Sequence, residues 1–182
     1  MALNDNDKEL ISIINRNTEK GFRLLMTQYK EPVYWHIRRL VVSHTDAQDA
    51  TQETFVRIFR SLSRFNGDSS LAAWIYRIAT NEALRLINRR HDELLSTEET
   101  DCRLNRMIAD EYMDYSDMEA INLQKAILTL PTKQQLAFNM RYYDELDYAE
   151  IAQITDSTVA NVKANYHIAK KKITEYMNAT IL

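Results

Sequence analysis

Two glycines, Gly21 and Gly67, and two prolines, Pro32 and Pro131, are all the backbone punctuation in a chain of 182 residues. Strands joined by tight turns draw on Gly and Pro at short intervals, whereas a helix interior loses roughly 1 kcal/mol at each Gly and ~3 kcal/mol at each Pro and so excludes them. The chain is therefore expected to be all-α. Between Asp46 and Leu62, Ala47, Ala50, Thr51, Phe55, Ile58 and Leu62 recur at steps of three and four, which is one buried helix face. Asp49, Gln52, Glu53 and Arg60 then project from the opposite side.

A second apolar stripe, Leu71, Trp74, Ile75, Ile78 and Ala79, runs into the basic end Asn88, Arg89 and Arg90, where cations suit a helix C-terminus. Between these helices, the segment Ser63 to Ser70 gathers Gly, Asn, Asp and Ser and reads as a polar loop. Upstream, residues 19–42 are equally apolar but interrupted by Pro32, which is read as opening a new helix, so two helices are expected there. The first module closes near His91. After it, residues 92–117 lack sustained periodicity and read as a tether.

The last third resumes a helical pattern. Ala120 to Leu130 is stopped by Pro131, and Thr132 with Gln135 has capping-box spacing for a helix reaching about Tyr143. Asp147 with Glu150 repeats that spacing ahead of Ile151, Ala152 and Ile154. After a tight turn at Thr155 and Asp156, Ser157 is positioned to cap a final helix with an inner stripe of Val159, Val162, Tyr166, Ala169 and Ile173. The layout is that of a helix-turn-helix, with a plain helical hairpin as the competing reading. The chain is thus expected to comprise two small helical domains, 1–91 and 119–182, joined by an acidic linker at 92–118.

Charge supports that division. Residues 1–91 hold 14 Lys/Arg against 10 Asp/Glu, residues 92–119 hold 2 against 10, and residues 120–182 hold 7 against 6, so within a net charge of -3 the acid is concentrated in the connector. Phosphate attraction acts over about a Debye length, ~10 Å, so an acidic connector does not forbid DNA binding by its neighbours.

Cys102 stands alone, which excludes an intrachain disulfide and a cysteine-based zinc site. No apolar run approaches the ~20 residues of a membrane span, and the polar, acidic start is unlike a secretion signal, so stable membrane insertion is not expected and a cytoplasmic address is. His36, His44, His91 and His167 are scattered without metal-ligand spacing, and no phosphate-binding glycine loop is present. Neither an enzyme nor a cofactor or metal is expected.

Two ridges invite nucleic acid. Arg77, Asn81 and Arg85 follow one another by four along a helix beside Trp74, mixing cations and hydrogen-bonding groups with aromatic surface, as single-stranded DNA binding requires. Trp74, like Tyr34 and Trp35, is read as an ordinary core residue before a direct base contact. On the last helix, Asn161, Lys163, Ala164, Asn165, His167, Lys170 and Lys171 lie off the packing stripe, where Asn can read base edges and Lys can hold phosphates; a solvated face is the plain alternative.

The order of these features resembles the extracytoplasmic-function group of sigma factors. DAQDATQETFVRIFRSLSRF at 46–65 is similar to that family's DAEDLVQETFLRAFR-type segment in region 2.2. FNGDSSLAAWIYRIATNEALRLINRR at 65–90 resembles regions 2.3 and 2.4, and LTLPTKQQLAFNMRYYDELDYAEIAQI at 128–154 resembles the region 4 signature. The resemblance covers most of residues 20–175.

The resemblance implies a stoichiometric role in transcription initiation, with core RNA polymerase and promoter DNA as partners. Asp49, Gln52 and Glu53 match residues that grip the clamp helices of the polymerase's largest subunit. Asn66, Gly67, Asp68, Ser69 and Ser70 match a pocket for a flipped base of the minus-10 element, with Arg77, Asn81 and Arg85 holding the same strand. The last helix would enter the major groove of the minus-35 element, the rest of its module resting on the polymerase flap. An anti-sigma factor is the expected inhibitor. Where the family shows Gly-Thr-Val-Lys-Ser-Arg-Leu-His-Arg-Ala-Arg, the residues from Ala160 to Lys170 carry fewer cations, which weakens the phosphate grip. A two-domain DNA-binding regulator outside the polymerase, and more distantly a helical adaptor for proteins, are the alternatives.

Overall fold

The computed structural model describes residues 5–65, 67, 69–93 and 118–180. Among them every regular element is helical: α1 (Asp5–Arg16), α2 (Thr18–Val41), α3 (His44–Ser61), a 3-10 turn (Leu62–Arg64), α4 (Leu71–Glu93), α5 (Met118–Leu128), α6 (Thr132–Tyr142), α7 (Tyr148–Ile154) and α8 (Val159–Thr180). The expected linker lies largely outside the described residues.

Helix α1 is not anticipated by the sequence pattern. Its Leu10 and Ile14 are buried against α2, and Asn17 ends it by accepting from the Lys20 N–H at 2.9 Å to cap the next helix. Gly21 makes this reversal possible, because a Cβ there would stand 2.5 Å from Ile14 Cγ1 and 2.7 Å from its Cα. The second clash is with backbone, which a rotamer change cannot relieve.

Pro32 does not divide residues 19–42. It lies inside one continuous α2 of 24 residues, correcting the expectation of two helices. A proline interior costs ~3 kcal/mol in an isolated helix, but Leu25, Tyr29, Val33, Ile37 and Leu40 form one buried stripe running past it, while Pro32 is exposed. Burial of that stripe on both sides of the proline outweighs the missing hydrogen bond.

Ser43 caps α3, accepting from the Asp46 N–H at 3.4 Å, and Ala47, Ala50, Thr51, Phe55, Ile58 and Leu62 are all buried as their spacing predicts. At the start of α4, Ser70 Oγ accepts from the Ala73 N–H at 3.1 Å, and Asp7, from α1, accepts from the Leu71 N–H at 3.3 Å. Burial raises the Asp7 carboxyl above its ordinary range; the Leu71 N–H opposes this and the Glu150 charge reinforces it.

In the second half, α6 starts at Thr132 with Pro131 in the cap position, and the Gln134 and Gln135 N–H groups donate to the Pro131 carbonyl at 2.8 and 3.0 Å. The expected Thr132–Gln135 box does not form: Pro131 starts the helix one residue early, and Gln135 is buried. The Asp147–Glu150 box does form, with reciprocal bonds of 2.8 and 3.2 Å. Between α7 and α8, Asp156 adopts a left-handed φ of 50°, and the Ser157 N–H donates to the Ala152 carbonyl at 2.9 Å. Thr158 rather than Ser157 then caps α8, its Oγ1 accepting from the Asn161 N–H at 3.2 Å.

Two apolar clusters organise the described residues. A small one joins α5, α6 and α8 through Ala126, Ile127, Leu130, Phe138, Ala169 and Ile173. The larger one includes Leu25, Ile37, Ile58 and Ile75 from the first half and continues into Leu136, Met140, Ile151, Ile154 and Val162 from the second. Helix α4 packs on α7 and α2 on α6.

Candidate polymerase and nucleic-acid interfaces

The outer face of α3 carries the residues its periodicity placed there. Asp49 and Gln52 are exposed, and Glu53 is half-buried, 3.2 Å from Arg57. Alongside, Met26, Lys30, Tyr34 and Trp35 of α2 line a crevice with Gln48 and Gln52 of α3, and Tyr34 is held by a 2.7 Å bond between its hydroxyl and His44 Nδ1. Trp35 is 38 % exposed rather than a core residue, and Leu24, Val56 and Phe59 are exposed as well.

In the loop before α4, Gly67 has a φ of 79°, a conformation that favours glycine, and Ser69 and Ser70 are half-buried. Asn66 and Asp68, which complete the expected pocket, lie outside the described residues. Phe65 and Trp74 flank the loop with ring centroids 5.2 Å apart, so Trp74 is partly in the core and partly at the rim.

On α4, Arg77, Asn81 and Arg85 are arrayed along one line, with Arg77 and Asn81 exposed and the Arg85 side chain 58 % exposed. What fixes that line went unnoticed in the sequence pattern. Glu82, 4 % exposed, pairs with Arg57 at 2.7 Å and with Arg85 at 2.7 Å, binding α3 to α4. The signal was available: Glu82 follows Ile75 by seven and Ile78 by four, so helical spacing puts a carboxylate on the inward stripe.

Helix α8 presents Asn161, Lys163, Ala164, His167, Lys170 and Lys171 as exposed residues, with Asn165 half-buried, above the buried Val162, Ala169 and Ile173. Val159 departs from its expected place in that stripe and is exposed. The ridge is held largely by its own helix: Asn165 Nδ2 donates to the Asn161 carbonyl at 2.9 Å, Lys171 lies 3.9 Å from Glu175, and Lys163 stands 5.6 Å from the Tyr148 ring centre. Among the described residues no group of three or more His, Cys, Asp or Glu side chains could hold a metal ion, and no helix is long and apolar enough to cross a membrane.

The two ridges border one cleft. Arg77, Asn81 and Asn88 of α4 share a cleft of about 510 Å³ with Lys133 of α6 and Asn165 of α8.

Comparison with known proteins agrees with this architecture. Residues 25–93 match the family model for Sigma-70 region 2, and residues 120–173 match that for Sigma-70, region 4. The chain is similar to the RNA polymerase sigma-H factor of Pseudomonas aeruginosa, 28 % identical over 182 residues that cover 95 % of this chain and 94 % of that protein. The ECF RNA polymerase sigma-E factor of Escherichia coli K12 is 29 % identical, with 92 % of each chain covered. Among solved structures, the fold is shared with CnrH in complex with the cytosolic domain of CnrY, at a TM-score of 0.72 and 18 % identity over 96 % of this chain and 99 % of that one. It is shared too with the sigma factor RpoE in complex with the anti-sigma factor NepR from Bartonella quintana, at a TM-score of 0.70 and 18 % identity over 87 % and 98 %. Two sigma-70 regions in their order, with relatives aligned over nearly the full length, show that the chain belongs to the sigma-70 family, as a non-catalytic RNA polymerase sigma factor of the extracytoplasmic-function type that directs transcription initiation.

Proposed function

We propose a division of labour among three polar ridges. Asp49, Gln52 and Glu53 of α3 dock on the clamp helices of core polymerase. Asn66 to Ser70 receive an extruded base of the minus-10 element's non-template strand, while Arg77, Asn81 and Arg85 neutralise and align that strand. Helix α8 enters the major groove of the minus-35 element through Asn161, Lys163, Ala164, Asn165, His167, Lys170 and Lys171, with the rest of residues 119–182 against the polymerase flap. Residues 1–91 and 119–182 act as separate reading heads on the tether at 92–118. Work on the transcription machinery puts the protein in the cytoplasm, and an anti-sigma factor is its proposed inhibitor, as CnrY and NepR are bound by the structurally similar proteins.

The observation that carries this reading is the outward placement of all three ridges, each on a helix whose opposite face is buried. Base extrusion costs a few kcal/mol in lost stacking, and a preformed pocket offsets it. The experiment is transcription by core polymerase with this protein on fragmented genomic DNA, followed by sequencing of transcript ends. Discrete new start sites sharing two upstream elements are expected; start-site use unchanged by the protein overturns the reading.

A further inference from the structure

The loop before α4 is pinned at both ends, and one pin comes from a helix with no part in the ridges. At its entry, Phe65 lies beside Trp74 with ring centroids 5.2 Å apart, which holds the chain against α4. At its exit, Ser70 sits in the cap position of α4. Its carbonyl accepts the Trp74 N–H, the first bond of the helix, and its Oγ accepts the Ala73 N–H, both at 3.1 Å. The first N–H groups of any helix lack acceptors within it, and the one on Leu71 falls outside the reach of this cap. Leu71 is fully buried, so water cannot serve that group. Its acceptor is Asp7 Oδ2 on α1, at 3.3 Å.

Asp7 is an unusual residue for its place. The buried apolar residues of α1 are Leu10 and Ile14, and a step of three back from Leu10 reaches Asp7, only 3 % exposed, a carboxylate on the inward stripe. A buried carboxylate costs stability unless it is hydrogen-bonded, so an apolar residue would serve the packing of α1 on α2 better. What the acid adds is an acceptor, with negative charge, at the N-terminus of α4. Ser70 Oγ also donates to Glu150 Oε1 at 3.0 Å, but Glu150 belongs to the second half, whereas Asp7 is carried by the same half as the loop. Helix α1 precedes residues 25–93, which match region 2.

A pocket offsets the cost of extruding a base only when its walls already stand in place, because ordering them at the moment of binding subtracts from the affinity they provide. We infer that Asp7 is a positioning residue for promoter melting: by fixing the Leu71 N–H from below, it holds Ser69 and Ser70 in the shape that captures the extruded base, without touching DNA. This role rests on the reading of Asn66 to Ser70 as that base's pocket.

The test uses holoenzyme assembled from core polymerase and the full chain. The probes are single-stranded oligonucleotides carrying the minus-10 element read from the mapped start sites, intact or with each base in turn replaced by an abasic residue. The extruded base is the position whose removal weakens parent binding most, and the ratio of abasic to intact Kd there measures capture. In Asp7→Ala that ratio is expected to fall about tenfold toward one, the scale of one buried group left unmatched, with affinity for the abasic probe and for core polymerase unchanged. Asp7→Leu, which continues the apolar stripe of α1, is the second variant should Asp7→Ala fail to fold, with the same loss expected. Asp7→Asn keeps an oxygen for the Leu71 N–H and is expected to retain the parent ratio, a rescue that general loosening of α1 would not give. A parent ratio preserved in the folded Ala or Leu variant overturns the role of Asp7, as does an equal loss in Asp7→Asn or an equal weakening of intact and abasic probes. A parent that discriminates at no position overturns the base-pocket reading itself, and the role of Asp7 with it.

Discussion

The ridges on α4 and α8 are made of similar residue types but are built differently. On α4 the line is pinned: Ile75 and Ala79 are fully buried beneath it, and Glu82 fixes Arg85 from below while reaching across to Arg57 on α3. On α8 the cations stand on a buried frame but find little beyond their own helix, and Ile168 is 45 % exposed among them. The contrast fits two kinds of DNA. A melted strand has no shape of its own, so the protein must supply the geometry, whereas a duplex already presents an ordered groove that a rigid rod of point charges can enter.

The sharpest way to break this comparison is to remove its foundations. Ile75→Ala is expected to cost about 2–5 kcal/mol in thermal or denaturant unfolding, against no more than about 0.5 kcal/mol for Ile168→Ala on α8. Equal costs would mean that Ile168, amid the α8 cations, is packed as deeply as the residue beneath the α4 line. Next in size, Glu82→Ala is expected to cost about 1–3 kcal/mol and to weaken binding of a single-stranded minus-10 oligonucleotide, because Arg85 loses its orientation. Glu175→Ala, which frees Lys171 at the surface, is expected to lower stability by less than about 0.5 kcal/mol.

A smaller, electrostatic distinction follows. Replacing Lys163, Lys170 and Lys171 together by Ala is expected to leave unfolding nearly unchanged and to flatten the salt dependence of duplex binding, by about 0.9 in log–log slope for each phosphate that is no longer neutralised. An unchanged slope would remove these lysines from the interface.

The least effect is expected from Asp7, which supports the start of α4. Its carboxyl is raised in the folded state, chiefly by burial, so the charged form is disfavoured there. The stability it contributes is fully present below the unfolded value of 3.8 and is lost as pH rises through the folded value. Asp7→Asn is expected to flatten the stability curve just above pH 3.8, with the Leu71 N–H still accepted by the amide oxygen. A curve that parallels the parent's would count against buried charge at this position.

Helical periodicity made most of the fold and both ridges legible, because one buried face leaves a repeating mark at steps of three and four. It failed where tertiary contacts overrode local preference. Pro32 is a strong local break, yet the stripe from Leu25 to Leu40 continues through it. Thr132 has the right chemistry for a cap but yields to the proline before it, and Ser157 yields to Thr158. The outward positions of Asp49, Gln52, Arg77, Asn81 and Lys163 follow from spacing alone, whereas Asp144 and His36 leave no such mark. Polar partners 108 positions apart share no period, so only the folded chain brings them together.

The length of α8 has a mechanical consequence. Its 22 residues extend about 33 Å, and the stretch from Asn161 to Lys171 proposed to face DNA occupies only the first part. Beyond it, Ile173, Tyr176 and Met177 clamp the far end into the small cluster shared with α5. The helix is thus a rod seated at two points, Val162 near its start in the large cluster and Ile173 farther on in the small one, and a slight shift at either seat would tilt the whole proposed reading face, so side chains remote from any base would set its angle.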